Sequence, residues 1–365
     1  MKIQKLIEEA EKVNDPRRQY GYLQHKLVTI LVISFCAIIC GAEDYEDIEE
    51  FGKARKEWLA KFLKMENGIP DKDTFRRVFE RLNPSEVSEC LYGWLENREG
   101  ISTVVGKTVN IDGKTIRGSK NATHKAYHVV SAWVSERQIT LGEIVVDEKS
   151  NEITAIPQLL DLVDVEGTTV TIDAMGTQTK IAEKIIEKKA DYCLALKGNH
   201  SDLHEDVRFY FENQIVSMQT STLEKNHGRI EKREYFLETD IDWLEQKADW
   251  AGLSAIGAVR STVTEKDLTR VETRYFITSL TNVECFASSV RKHWSIENQL
   301  HWQLDVTFGE DKAKTRKDNS PLNWNIMRKT VLPLIRSADV GKKQSVKRKM
   351  FMAALDVTIL ENILF

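Results

Sequence analysis

Two short apolar runs in this chain close on the same residue type: "KTVNID" ends at Asp112 and "TTVTID" ends at Asp173. Each run reads as a strand, and groups at strand ends in an open sheet converge on one crevice. If the two strands are neighbours, both carboxylates face one point. After Asp112 the chain turns basic, with Lys114, Arg117 and Lys120 and no acidic residue until Glu136. A carboxylate that holds a metal beside a phosphate chain would suit that pattern. The competing reading is a turn, because Asp-Gly is a common hairpin signal and aspartate caps many turns.

A third carboxylate stands in "VRKHWSIENQLHWQLDVTFGEDKAKTR", residues 290–316. On a regular helix Val290, His293, Trp294, Glu297, Leu300, His301 and Leu304 share one face. An unpaired buried carboxylate costs several kcal/mol or neutralises. A metal ion would make the placement of Glu297 reasonable. So would a basic partner, or a helix turned to show Glu297 to water.

The elements that must position these groups fall into blocks. Residues 1–98 read as a helical domain, in which Asp71 and Asp73 are good N-caps for "TFRRVFERL" and Pro84 ends that helix. The acidic stretch 43–50 makes direct DNA contact there improbable on charge grounds. From about 104 the period changes to β-β-β-α-β-α-β, with strands at 107–112, 126–134, 139–146, 168–173 and 191–196 and helices near 153–163 and 177–190. That order is the ribonuclease-H-like one: an α/β core of residues 104–199 and 283–340 on a mixed sheet with helices on both faces. Residues 200–282 break the alternation and read as a mostly β insertion with a hairpin at "TEKDLT". Residues 341–365 form a basic, helical tail.

The 365 residues allow two or three domains, and 41% hydrophobic with 30% charged residues is ordinary for a globular protein. The formal net charge of −4 excludes a uniformly basic coat but not local patches. Five cysteines with no CxxC pair fit buried thiols in a reducing cytosol and disfavour cysteine-bound zinc. The opening residues lack a signal-peptide core. "LVTILVISFCAIICG" at 27–41 is shorter than the roughly 20 residues a spanning helix needs, so a helix buried in protein is expected.

Several stretches resemble the insertion-sequence DDE transposases of the H-repeat-associated type: "IDGKTIRGS", "TIDAMGTQTKIAEKIIEKKADYCLALKGNH", "HGRIEKR" and "HWSIENQLHWQLDVTFGEDKAKTR". The leader pieces "DPRR" and "IPDKDTFRRVFERL" are similar to that family's helical domain, and the likeness covers nearly the whole chain. It implies a catalytic and metal-binding triad of Asp112, Asp173 and Glu297, spaced 173 − 112 = 61 and 297 − 173 = 124. Many transposases with a β insertion also place Tyr, Arg and Lys around the catalytic Glu. Those spacings fall here on Val290, His293 and Leu304. His293 is a stand-in for the Arg, and Lys197, Lys312 or Lys314 for the missing Lys.

The resemblance implies two Mg²⁺ or Mn²⁺ ions, hard cations that prefer oxygen. It implies water attack at an element end, endonuclease activity, then transfer of the freed 3′-hydroxyl into target DNA. The expected partner is double-stranded DNA, bound by a homodimer in the cytoplasm, at the nucleoid, with no membrane. Basic residues expected to meet phosphates are Lys114, Arg117, Lys120, Lys197, His293, Lys312, Lys314 and Arg316. Arg328 and Lys329 belong to the same basic stretch, which holds twelve Lys or Arg between 312 and 349.

Rivals are weaker. A nucleotide-phosphate loop would need glycine at Thr108 or Ile101. Zinc could sit on Glu297 and His301, or on His124 and His128, but no HExxH is present. A non-catalytic DNA-binding remnant should have lost a carboxylate, which this chain has not. A related metal-dependent nuclease would cut without joining.

Overall fold

The computed structural model describes residues 2–17, 23–99, 104–122, 124–146, 151–216, 218–226, 229–266 and 268–365. Arg18 of "DPRR", His227 and Gly228 of "HGRIEKR", and Ile101 lie outside them. Nine strands form one mixed sheet: β1 Thr108–Thr115, β2 His128–Val134, β3 Ile139–Val146, β4 Thr169–Ile172, β5 Asp191–Leu196, β6 Met218–Asn226, β7 Arg229–Glu238, β8 Ala255–Glu265 and β9 Leu268–Thr278. Their order is β3-β2-β1-β4-β5-β9-β8-β7-β6. β1, β4 and β5 run parallel and the other pairings are antiparallel.

The first six helices are α1 Lys2–Ala10, α2 Leu27–Ile39, α3 Tyr45–Ala54, α4 Lys56–Leu59, α5 Lys72–Arg81 and α6 Pro84–Glu99. Between and after the strands come α7 Glu152–Leu162, α8 Thr179–Glu187, α9 Ser201–Asn213, α10 Val283–Ile296, α11 Ser320–Ser337, α12 Val346–Leu355 and α13 Val357–Leu364. Every residue of α2 except Val28 is buried in protein, which is why its sequence is apolar on all sides. No described helix is long and apolar enough to cross a membrane. Asp71 alone caps α5, accepting from Thr74 N, while Asp73 lies inside the first turn and pairs with Arg76 at 3.0 Å. Pro84 then opens α6.

The two ends of the chain build one helical body. Trp324 of α11 packs against Phe79 and Tyr45. Asn323 of α11 donates to the free carbonyls of Phe79 and Leu82 at the end of α5. The β insertion does not stand apart either. β9 pairs with β5, so β6–β9 prolong the core sheet. Helix α9 and strand β6 carry no clear period in the sequence, and only the structure shows them.

Period-2 geometry sorts the faces of β1. Asn110 Nδ2 donates to Lys292 O of α10 at 2.6 Å, and Thr171 Oγ1 of β4 donates to Asn110 Oδ1 at 3.1 Å. Asn110, Asp112 and Lys114 therefore share the α10 face. Gly113 faces α7 instead, where an added Cβ would lie 2.2 Å from Glu152 Oε1 and 2.5 Å from His128 Nε2. The Asp-Gly pair is thus no turn. β1 runs on to Thr115, and the glycine lets the His128–Glu152 pair, at 2.6 Å, approach the strand.

Candidate active site

The parallel register Ile111↔Ile172 puts Asp112 and Asp173 side by side, one step beyond the last paired residues. Asp173 lines the cavity and also caps the turn that follows its strand. Its Oδ1 accepts from Met175 N at 3.1 Å and Gly176 N at 3.2 Å, tying the turn after β4. Among the described residues, Asp112 accepts only the adjacent Gly113 N–H, at 2.9 Å.

Glu297 arrives from the other layer. Helix α10 gives way at Glu297 to π-helical turns, Glu297–His301 and Gln303–Thr307, rather than continuing as a regular α-helix. Single π turns of this kind recur at functional sites. Leu300, His301 and Leu304 are buried, but the Glu297 side chain is 56% exposed. Of the alternatives the sequence left open, the helix shows Glu297 to solvent: it stands on the rim of a cavity of about 350 Å³ whose wall includes Asp112, Asp173, Lys197, His293 and Glu297.

Burial, then the charge of Glu297, push the Asp112 carboxyl up to about 7, with Asp173 adding to the repulsion. The His301 imidazole holds Glu297 below the usual carboxylate range, against its partial burial. Acids crowded in this way are what a divalent cation would relieve, and an oxygen-rich donor set fits a hard ion.

The basic residues divide by tertiary environment. Lys114 is buried, bonded to Asp305 Oδ1 at 2.6 Å and 3.0 Å from Glu310 Oε2. Burial alone would lower its pKa, but Glu310 and Asp305 hold it above the ordinary lysine value. Glu310 in turn accepts from Asn325 at 2.8 Å and lies 3.6 Å from buried Arg328. Lys329 is bonded to Glu143 and Ser131. Lys114, Arg328 and Lys329 are therefore internal counter-charges, and the expectation that they meet phosphates is corrected.

His293 lines the cavity and is held by β4. Thr171 Oγ1 spends its one proton on Asn110, so His293 Nδ1, 3.0 Å away, is the donor to it. Burial lowers the imidazole pKa, against the pull of Asp173 and Glu297.

Arg117, Lys120, Lys312, Lys314 and Arg316 are exposed. They come from two sequence patches that meet: Gly118 packs on Glu310 and Ala313, and Asn121 donates to Arg316 O at 3.1 Å. Lys197 is exposed in the cavity wall.

A further basic surface is not apparent from the sequence patches above. A groove of about 590 Å³ between the β7–β9 face and α10 is lined by Arg229, Arg233, Arg270, Arg274 and Arg291, along with Glu231, Glu265 and Glu272. Arg274 lies over the Trp294 ring at 4.4 Å, and both also line the carboxylate cavity, so the two hollows adjoin and share this wall. The signal for it is the repeat "RIEKR" and "RVETR", which sets two arginines on one strand face.

A nine-stranded mixed sheet with many helices is consistent with a DDE transposase. The family described as "Transposase DDE domain" matches residues 106–333, and that described as "DDE_Tnp_1-associated" matches residues 7–95. The chain is 38% identical over 376 residues to "Putative transposase YncI" of Escherichia coli O157:H7, spanning 100% of this chain and 95% of that protein. It is 36% identical over 376 residues to "H repeat-associated putative transposase YhhI" of Escherichia coli strain K12, spanning 100% and 98%. "Inactive transposase YbfQ" of strain K12 is 42% identical over 78 residues, 21% of this chain and 92% of that protein. The chain belongs to the DDE transposase family, and to its H-repeat-associated type.

Proposed function

We propose that this transposase cuts DNA at the ends of an insertion element and joins the freed 3′-hydroxyl to target DNA, with Asp112, Asp173 and Glu297 as its catalytic carboxylates. The observation that carries the reading is convergence: the β1/β4 register sets the two aspartates together, and a π-helical turn brings Glu297 to the same cavity. The strand order β3-β2-β1-β4-β5 supports a ribonuclease-H-like core. Two Mg²⁺ or Mn²⁺ ions held by these carboxylates would activate the attacking oxygen and stabilise the leaving one.

This chain's own residues supply the rest. Lys197 and the groove arginines would neutralise and orient the DNA backbone beside the cavity. The buried Lys114–Asp305–Glu310 network would fix the segment that carries Glu297 against β1. Water attacks phosphorus, the P–O3′ bond breaks, and a 3′-hydroxyl leaves. That hydroxyl then attacks a target phosphorus, forming a new P–O3′ bond as the target's own P–O3′ bond breaks and its 3′-hydroxyl leaves. Pairing two ends calls for a homodimer on DNA, at the nucleoid in the cytoplasm.

The experiment incubates the protein with a labelled copy of the DNA flanking its own gene and a plasmid, with Mg²⁺ present or withheld. A metal-dependent nick and a labelled end joined to plasmid are expected. Cleavage without any joined product would instead identify a nuclease, and DNA binding without cleavage an inactive remnant.

A further inference from the structure

The carboxylate triad leaves one side chain of the cleft unexplained. His301 closes the π-helical turn that Glu297 opens. It is 6% exposed, and its Nε2 is buried with no hydrogen-bond partner. Its Nδ1 lies 3.6 Å from Asp112 Oδ2 and 3.6 Å from Glu297 Oε2, too far for a good hydrogen bond to either. Among the described residues, Asp112, Glu297 and His301 form the group of acid and histidine donors whose ligand atoms all fall within 4.8 Å of one another. Two other imidazoles line the cavity wall: His293 is tied to Thr171, and His204 sits edge-on to Tyr275.

The nitrogen that faces the two carboxylates is Nδ1, and an ion between the three side chains would take its lone pair and leave the ring proton on Nε2. Donors around one octahedral ion sit about 3.0 Å apart when adjacent and about 4.2 Å when opposite, for bonds of about 2.1 Å. The 3.6 Å separations fall between those limits. We propose that His301 Nδ1 is a ligand to the divalent ion held by Asp112 and Glu297, making that position a mixed nitrogen–oxygen site. The inference rests on the metal-dependent reading above and adds a residue outside the three carboxylates. A nitrogen donor favours Mn²⁺ and later transition metals over Mg²⁺, so His301 would set metal preference as well as affinity.

The test loads the full-length protein with Mn²⁺, with and without a DNA duplex, and reads directly coordinated nitrogen by pulsed electron paramagnetic resonance. Calorimetry supplies the Mn²⁺ affinity. The expected result is an imidazole nitrogen signal in the wild type, shifted by ¹⁵N-histidine labelling and retained in His293→Gln. His301→Gln should lose the signal and bind Mn²⁺ at least about tenfold more weakly, since even outer partners of a metal site are worth that much. Should His301→Gln fail to fold, a signal retained in both His293→Gln and His204→Gln assigns the nitrogen to His301, and its loss in either overturns the proposal. Bound Mn²⁺ with no coordinated nitrogen in the wild type overturns the proposal while leaving the carboxylate site standing. A signal that survives His301→Gln and vanishes in His293→Gln also overturns it. A wild-type protein that binds no Mn²⁺ in either condition removes the metal-dependent reading, and this inference with it.

Discussion

The two ends of the single sheet carry charge in opposite ways. In β1, β4 and β5 the side chains are mostly buried, and the ionised groups among them are aimed at one cavity or locked into internal pairs, as Lys114 is with Asp305 and Glu310. In the distal parts of β7, β8 and β9 the charged residues are exposed or half-buried, and alternate ones line an open groove. Even apolar side chains there reach water, with Leu268 68% and Val271 61% exposed. The difference shows what each end can do. A buried charge has one partner and one geometry, which suits positioning. An exposed row of arginines has several, which suits a long polyanion whose sequence it does not read.

The largest effect should come from the buried end. Asp112→Asn, Asp173→Asn or Glu297→Gln should each lower strand cleavage by at least about 10³-fold, beyond the loss of a single transition-state donor, while duplex binding persists. Near-normal turnover by any of them in a gel-based cleavage assay would separate the cavity from the chemistry. Next comes Lys114→Met, which strands Asp305 and Glu310. It should destabilise the fold by about 3–5 kcal/mol in urea titrations. Unchanged stability with weaker, less salt-sensitive DNA binding would return Lys114 to the DNA surface and blur the contrast between the two ends.

Mn²⁺ at about 100 times its dissociation constant should stabilise the wild type by about 2.7 kcal/mol, a thermal shift of several degrees, and should not stabilise Asp112→Asn. An equal shift in both proteins would place the ion elsewhere. The smallest effect is expected at the exposed end. Arg270 is exposed and has no ion pair among the described residues. Arg270→Glu should weaken duplex binding a few-fold and reduce the slope of log affinity against log salt by about 0.9 for each phosphate no longer neutralised. A slope identical to wild type would remove DNA from the groove.

Much of the core was legible because the chain repeats one device. A strand-like run ending in aspartate occurs twice, and in a parallel register two such endings become neighbours. The strands and helices between 104 and 199 followed their periods closely, since burial on both faces leaves little freedom in composition. The regular helix expected through Glu297 was less secure. Hydrophobic spacing alone does not distinguish an α turn from the wider π turn that sets Glu297 on the cavity rim and turns His301 inward.

Which basic residues face outward was decided only by the fold. In the sequence Lys114, Arg117 and Lys120 make one ribbon, yet alternate strand positions and the arrival of Glu310 from nearly two hundred residues away bury the first and expose the others. Local residue types determined that this chain would carry three acids at structurally special points and several clusters of positive charge. Pairing those charges is a long-range matter. A lysine beside a distant buried glutamate becomes scaffold, and one beside solvent stays available for phosphate, because desolvation penalises any buried charge that lacks its opposite.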